Sequence, residues 1–252
     1  MYIMGKKKTA FSKKMAKEVR KISKETTLRL AETKVVSRLT ENNQLYHNST
    51  IIHGPYLQTI KKGLNDPTLG SNANARVGDE IILKEFQQRL WLSNKNDRPN
   101  VMYRITTFWF PQTALVATVP VPSDVYFFAP TLANQPNTMI LRPNTETIKV
   151  ISDKFIFSEN NYAVPTQTQP YPVIAGPGIW GRERSQIRTI NSRYKARKVK
   201  YLDSGVDGIG AGGPVKSHDI FVAITAYDAW GTVTSDNIAS YASNVSIKFK
   251  DL

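Results

Sequence analysis

The sequence has no cysteine in its 252 residues, which excludes a disulfide framework, Cys-ligated zinc and thiol chemistry. Acidic residues are scarce: 20 Asp and Glu stand against 34 Lys and Arg, a formal net charge of +14. Those outside the N-terminal region are scattered, so no carboxylate pair stands out for acid–base work. The three histidines, His47, His53 and His218, lack the spacing of a metal motif, and a structural or surface role is expected of them. No Gly-x-Ser-x-Gly elbow is present. The glycine-rich stretch 205–214 fails as a phosphate loop, because Pro214 and Val215 separate its last glycine from Lys216-Ser217. It reads as a flexible connection between strands. No apolar run approaches the roughly 18–20 residues that span a bilayer. The first residues place Lys6, Lys7 and Lys8 where a signal peptide would need its apolar region. The expectation is a protein that is neither enzyme nor membrane-inserted and that needs no cofactor.

What the chain does have is positive charge packed at one end. Residues 1–38 hold twelve cations against Glu18, Glu25 and Glu32, a net of +9 out of +14. A block of like charge repels itself and cannot supply a core, so it reads as an arm that finds a polyanion. Lys6, Lys7, Lys8, Lys13, Lys14, Lys17, Arg20, Lys21 and Lys24 are the candidate contacts. Phe11, Met15, Val19 and Ile22 recur at helical steps, predicting a basic amphipathic helix from residue 10 to about 39. The arm is assigned to 1–43 and the folded body to 44–252.

After Asn42-Asn43 the pattern turns to strands. Segments 50–60, 80–93, 100–110, 148–157, 185–201, 219–228 and 238–250 are rich in β-branched and aromatic residues or alternate cleanly. A weaker candidate lies at 138–141. The Gly54-Pro55 step suggests a bulge or bend in the first segment. The polar turn at 94–99 makes 80–93 and 100–110 read as a hairpin. About eight long strands joined by long, proline-punctuated loops predict an all-β fold, a single eight-stranded jelly roll. Loops 111–147 and 158–184 exceed ordinary connection lengths and are expected at contacts or on the outer surface.

A second basic stretch runs over 182–200, where eight Arg and Lys face only Glu183, with Tyr194 and Tyr201 interleaved. Arginines beside exposed aromatics suit a sugar-phosphate backbone and unstacked bases. Arg188, Arg193, Tyr194 and Lys195 are the candidates for single-strand binding. A solvated, lysine-protected edge strand is the alternative, and Tyr194 could instead sit between the sheets.

The most specific stretch runs from Arg76-Val-Gly-Asp79 through Leu90-Trp91-Leu92 to Tyr103-Arg104-Ile105. With the lysine-rich start, the Gly54-Pro-Tyr-Leu-Gln58 segment and the closing Lys248-Phe-Lys-Asp-Leu252, it resembles the capsid proteins of small circular, replication-initiator-encoding single-stranded DNA viruses, circovirus-like and satellite-like members included. The resemblance implies a jelly roll that self-associates into a shell of about sixty copies, the smallest full icosahedron. It also implies an arm inside that shell on a single-stranded DNA genome, a place in the virion, and passage through the host nucleus. Lys6-Lys7-Lys8 and Lys13-Lys14 would then serve host import machinery. The arm departs from the circovirus pattern in being lysine-rich and helix-patterned rather than densely arginine-rich. A cellular nucleic-acid-binding protein with a basic extension, of ribosomal or chromatin type, is the alternative.

Overall fold

The computed structural model describes residues 15–23, 26, 31–62, 75–95, 98, 100–115, 117–127, 137–158, 184–202, 214–229 and 233–251. Eight strands form the body: β1 Thr33–Tyr46, β2 Thr50–His53, β3 Glu80–Asn94, β4 Val101–Pro111, β5 Lys149–Phe157, β6 Arg184–Lys200, β7 His218–Asp228 and β8 Asn237–Asp251. They make two four-stranded antiparallel sheets, sheet A in the order β1-β8-β3-β6 and sheet B in the order β2-β7-β4-β5. Along the chain every connection between these strands crosses from one sheet to the other except β4–β5, which stays in sheet B. This is the eight-stranded jelly roll.

Strands β3 to β8 fall within a residue or two of expectation, because alternation and β-branched content are local signals. Three expectations are corrected. The helix predicted to residue 39 ends early: residues 15–23 are helical, but Thr33–Tyr46 is a strand paired with β8 from Thr33↔Lys250 to Tyr46↔Asn237. The β-branched Thr33, Val35 and Val36 favour that outcome, and they bring the body's start inside the segment assigned to the arm. The expected 80–93/100–110 hairpin does not exist, since β3 pairs with β6 and β8 while β4 pairs with β5 and β7 in the other sheet. Residues 138–141 form turns rather than a strand.

The segment expected as a single strand over 50–60 stops at His53. Gly54 has φ 141°, and a Cβ there would lie 2.5 Å from Cδ1 of Phe221, so only glycine fits. The chain then enters a 3₁₀ turn, Leu57–Thr59. Asp219, wholly buried at the start of β7, accepts the backbone N–H groups of Leu57 at 2.7 Å, Gln58 at 3.0 Å and Ile220 at 2.6 Å. Burial pushes its carboxyl up to about 6, against those donors, which favour the charged form.

The main core lies between the sheets, with Leu83, Phe86, Leu90, Ile105, Ile224, Ile247 and Phe249 at its centre. A second cluster, including Phe108, Phe110, Val125, Tyr126 and Phe221, sits on the far side of sheet B beneath the β4–β5 connection. So part of the long loop expected on the outer surface covers its own sheet. Arg104 holds it there. Its guanidinium pairs with both Asp153 oxygens (3.0 and 2.7 Å) and donates to the carbonyls of Thr138 (2.6 Å) and Leu141 (2.7 Å), with the Tyr126 ring at 4.5 Å. The outer side of β4 and β7 in sheet B is therefore covered, whereas the outer face of sheet A is open and carries polar and charged residues together with the exposed Leu39, Trp91 and Ile187.

Candidate nucleic-acid interface

The arm joins the sandwich at one corner of sheet A. Lys34, the second residue of β1, is nearly buried and donates to the Ala75 carbonyl at 2.7 Å and to Asp251 at 3.1 Å. Asp251 also accepts the Val77 N–H at 2.6 Å. Beside it Arg76, 1% exposed, bonds the Gly78 carbonyl at 2.7 Å and Asp79 at 3.0 Å, and its guanidinium lies 3.9 Å from the Tyr201 ring centre. Thus the chain end, the first strand and the 75–79 turn are tied together where the arm departs. The residues that carry the sequence resemblance, Arg76, Asp79 and Arg104, serve here as fold-locking contacts.

The same end of sheet A is basic. Register sets Lys198 and Lys200 of β6, and Lys248 and Lys250 of β8, around the start of β3. Lys198 and Lys200 both pair with Glu80, and Lys248 pairs with Glu85 at 2.8 Å. Arg193, 81% exposed, lies 3.6 Å from Glu85. Hydrogen bonds from these lysines hold Glu80 and Glu85 below the usual carboxylate range. These five cations stand with Glu80 and Glu85, while Asp79 and Asp251 at the same corner are paired with Lys62, Arg76 and Lys34, so the face remains net positive where β1 begins. Such a patch attracts phosphates without reading sequence.

Of the arm candidates, Lys17, Arg20 and Lys21 lie exposed on the helix 15–23, whose apolar residues Met15, Val19 and Ile22 are 58–62% exposed. Lys6, Lys7, Lys8, Lys13, Lys14 and Lys24 lie outside the described residues, as does the 205–213 part of the glycine-rich stretch. In β6 the structure separates what the sequence set side by side. A register shift opposite Leu83–Glu85 breaks strict alternation. Tyr194, before the shift and on the same parity as buried Ile190, turns inward, packing on the main core with its ring edge-on to Trp109 at 6.0 Å, and Arg197, beyond the shift, lies 3.5 Å from the Trp109 ring centre. Arg188 lies at the mouth of the sandwich between β5 and β6, its Nε donating to Gln186 at 3.1 Å, beside a cavity of about 510 Å³ with Lys154, Ile156 and Ile190. Nothing is described of the Lys195 side chain. Of the two expectations for Tyr194 the structure favours the one between the sheets: its ring packs on the core rather than between cations, and Arg188 and Arg193 sit apart. Tyr194→Ala is expected to lower stability by about 2–3 kcal/mol, below the cost of a fully buried ring, while single-stranded DNA affinity stays unchanged. Denaturation and filter binding on the same preparation check both halves.

No protein-family model and no curated protein matches this chain. Among the solved structures to which it is similar are polyomavirus VP1 proteins. The VP1 protein of Merkel cell polyomavirus in complex with GD1a oligosaccharide aligns over 86% of this chain and 95% of its own, at 9% identity and TM-score 0.19. The same VP1 with disialyllactose aligns over 87% and 96%, also at 9% and 0.19. An unassembled KI polyomavirus VP1 pentamer aligns over 87% and 74%, at 10% identity and TM-score 0.13. Identity and superposition are both too low to carry function across, and the jelly roll rests on the strand order alone.

The histidines do not converge. His47 is buried and accepts the Asp228 N–H at 3.3 Å, His53 bonds the Tyr241 hydroxyl, and His218 begins β7. Among the described residues no three His, Asp or Glu are grouped as metal ligands.

Proposed function

We propose that this chain is a coat protein that self-assembles into a closed icosahedral shell and packages a nucleic-acid genome against its inner surface. The observation that carries the reading is spatial: the basic arm leaves β1 at the corner of sheet A where Arg193, Lys198, Lys200, Lys248 and Lys250 gather. The outer face of sheet A is thus positive at the corner where β1 begins, while sheet B lies on the other side of the sandwich. A shell needs that polarity, since genome and exterior lie on opposite sides of each subunit. With an arm of net charge +9, about sixty copies direct several hundred positive charges inward, which offsets much of a small genome's phosphate charge through counterion release. The resemblance at Arg76–Ile105 supports a single-stranded DNA virus as the source.

Electron microscopy of full-length protein mixed with single-stranded DNA at physiological salt is expected to show closed particles of one size. Monomers alone by sedimentation would overturn the assignment and leave the cellular nucleic-acid-binding protein, which binds without assembling. Sequencing nucleic acid recovered from native particles decides between DNA and RNA; viral RNA would remove the single-stranded DNA reading.

A further inference from the structure

The outer face of sheet A exposes two large aromatics, Tyr46 at the end of the edge strand β1 and Trp91 on the central strand β3. Trp91 is 56% exposed although Leu90 and Leu92 on either side are wholly buried, because the pleat turns alternate residues of β3 outward. Arg89, two residues along on the same face at about 7 Å, is exposed as well. Register places Ile187 beside Trp91, and Thr189 and Asn244 on either side of Arg89. Farther along the same face, about 20 Å from Trp91 at the rise of a strand, Glu85 is level with Lys248 and Arg193.

An indole, a guanidinium, flanking hydroxyl and amide groups and then a cluster of cations thus lie in one line on an open sheet. The core of a protein–protein interface is largely apolar and poor in charge. Here the exposed apolar residues, Trp91, Ile187 and, on the edge strand, Leu39, are set among Arg89, Thr189, Asn244 and the cations beyond rather than forming a continuous apolar core, which suits a polyanion that also offers π-faces. A duplex keeps its bases stacked inside, whereas a single strand presents them to aromatic side chains.

The geometry points to Trp91 as a stacking platform for an unpaired base of single-stranded nucleic acid, with Arg89 on the neighbouring phosphate and the strand running along β3 toward Lys248. This rests on the packaging function proposed above and adds the form of nucleic acid the sheet accepts. It also places an aromatic contact where Tyr194 cannot supply one.

The test titrates full-length protein with a short oligothymidylate and, separately, with a short duplex, following tryptophan emission and affinity. Single strands are expected to quench emission and duplex to leave it nearly unchanged. Trp91→Ala should abolish that quenching and weaken oligothymidylate binding by about five- to a hundredfold, while Trp91→Phe keeps most of the affinity. Duplex binding should be the same in all three proteins. Arg89→Gln, at an exposed position, should weaken single-strand binding several-fold and serves if Trp91→Ala misfolds. Oligothymidylate binding that is salt-dependent but indifferent to Trp91 and Arg89 overturns the platform and leaves packaging through the lysines intact. Loss of particle formation in Trp91→Ala with unchanged oligothymidylate affinity also overturns it, because the face would then meet a second copy. Failure of the wild-type protein to bind either form removes the packaging function itself.

Discussion

Deleting residues 1–31 is expected to leave the thermal midpoint of the body unchanged and to remove most of its salt-dependent affinity for single-stranded DNA. The deleted segment holds ten Lys and Arg against Glu18 and Glu25. Phosphate contacts release counterions, and for single strands log K falls with log salt at about 0.7 per contact. If all ten engage, raising salt from about 50 to 200 mM should weaken the intact protein by roughly four decades and the truncated one by far less. A cut only six residues further, through Ser37, should behave differently. It removes Lys34 from Asp251 and the Ala75 carbonyl and strips five register pairs from Thr33↔Lys250 to Ser37↔Ser246, so the body itself should loosen. Calorimetry and salt-series binding on the two truncations separate these effects. An unchanged salt slope after deleting 1–31 would transfer the binding to the sheet A cations. A fluorescent fusion of residues 1–31 tests the nuclear import role of Lys6-Lys7-Lys8 and Lys13-Lys14, and cytoplasmic retention would reject it.

Arg104→Ala should be the most destabilising single substitution in the body, at about 3–5 kcal/mol. The side chain is 2% exposed, and its partner Asp153 retains 20%. Removing the guanidinium leaves Asp153 with Thr106 as its remaining hydrogen-bond donor (2.8 Å) and leaves the Thr138 and Leu141 carbonyls without that partner. Lysine does not rescue, because one ammonium cannot make a bidentate pair and reach two carbonyls at once. Asp153→Asn should cost less, since Arg104 keeps those carbonyls. With a urea slope of about 2–3 kcal/mol per molar, the Arg104→Ala midpoint should fall by roughly 1–2 M. Because the contact pins the loop over Phe108, Phe110 and Phe221, the variant should also expose apolar surface and bind a hydrophobic dye. A midpoint equal to wild type would show that the pair is not what holds the loop.

Much of this protein was legible residue by residue. The concentration of charge in the first 38 positions needs no structure. The strand spans from β3 to β8 follow from alternation and β-branched content, both local properties of the chain. β1 was missed because it is an edge strand of mixed polarity: Lys34 and Leu45 are its buried residues, so it shows no period of two. An edge strand takes its stability from hydrogen bonding to its neighbour, here β8 at the other end of the chain, and a short window cannot see that partner. The false hairpin has the same origin. β3 and β4 are consecutive with a short turn, but each is stabilised by more distant strands in separate sheets. The sequence left Tyr194 open between the surface and the space between the sheets, because the face a residue occupies depends on the register of pairing.

The candidate site shows the division most clearly. Sequence alone determined that an arm of like charge must seek a polyanion and that a β-rich body must build a sandwich. Only the tertiary structure decided which cations stand together, since Lys248 and Lys250 join Lys198 and Lys200 across sheet A beside Glu80 and Glu85, residues that lie more than a hundred positions earlier in the chain. It also decided that Trp91, one aromatic among 25, faces solvent on that same surface. Side-chain direction follows from the pleat once pairing is known, and pairing is set by burial of one sheet face against another rather than by any property of the residue itself.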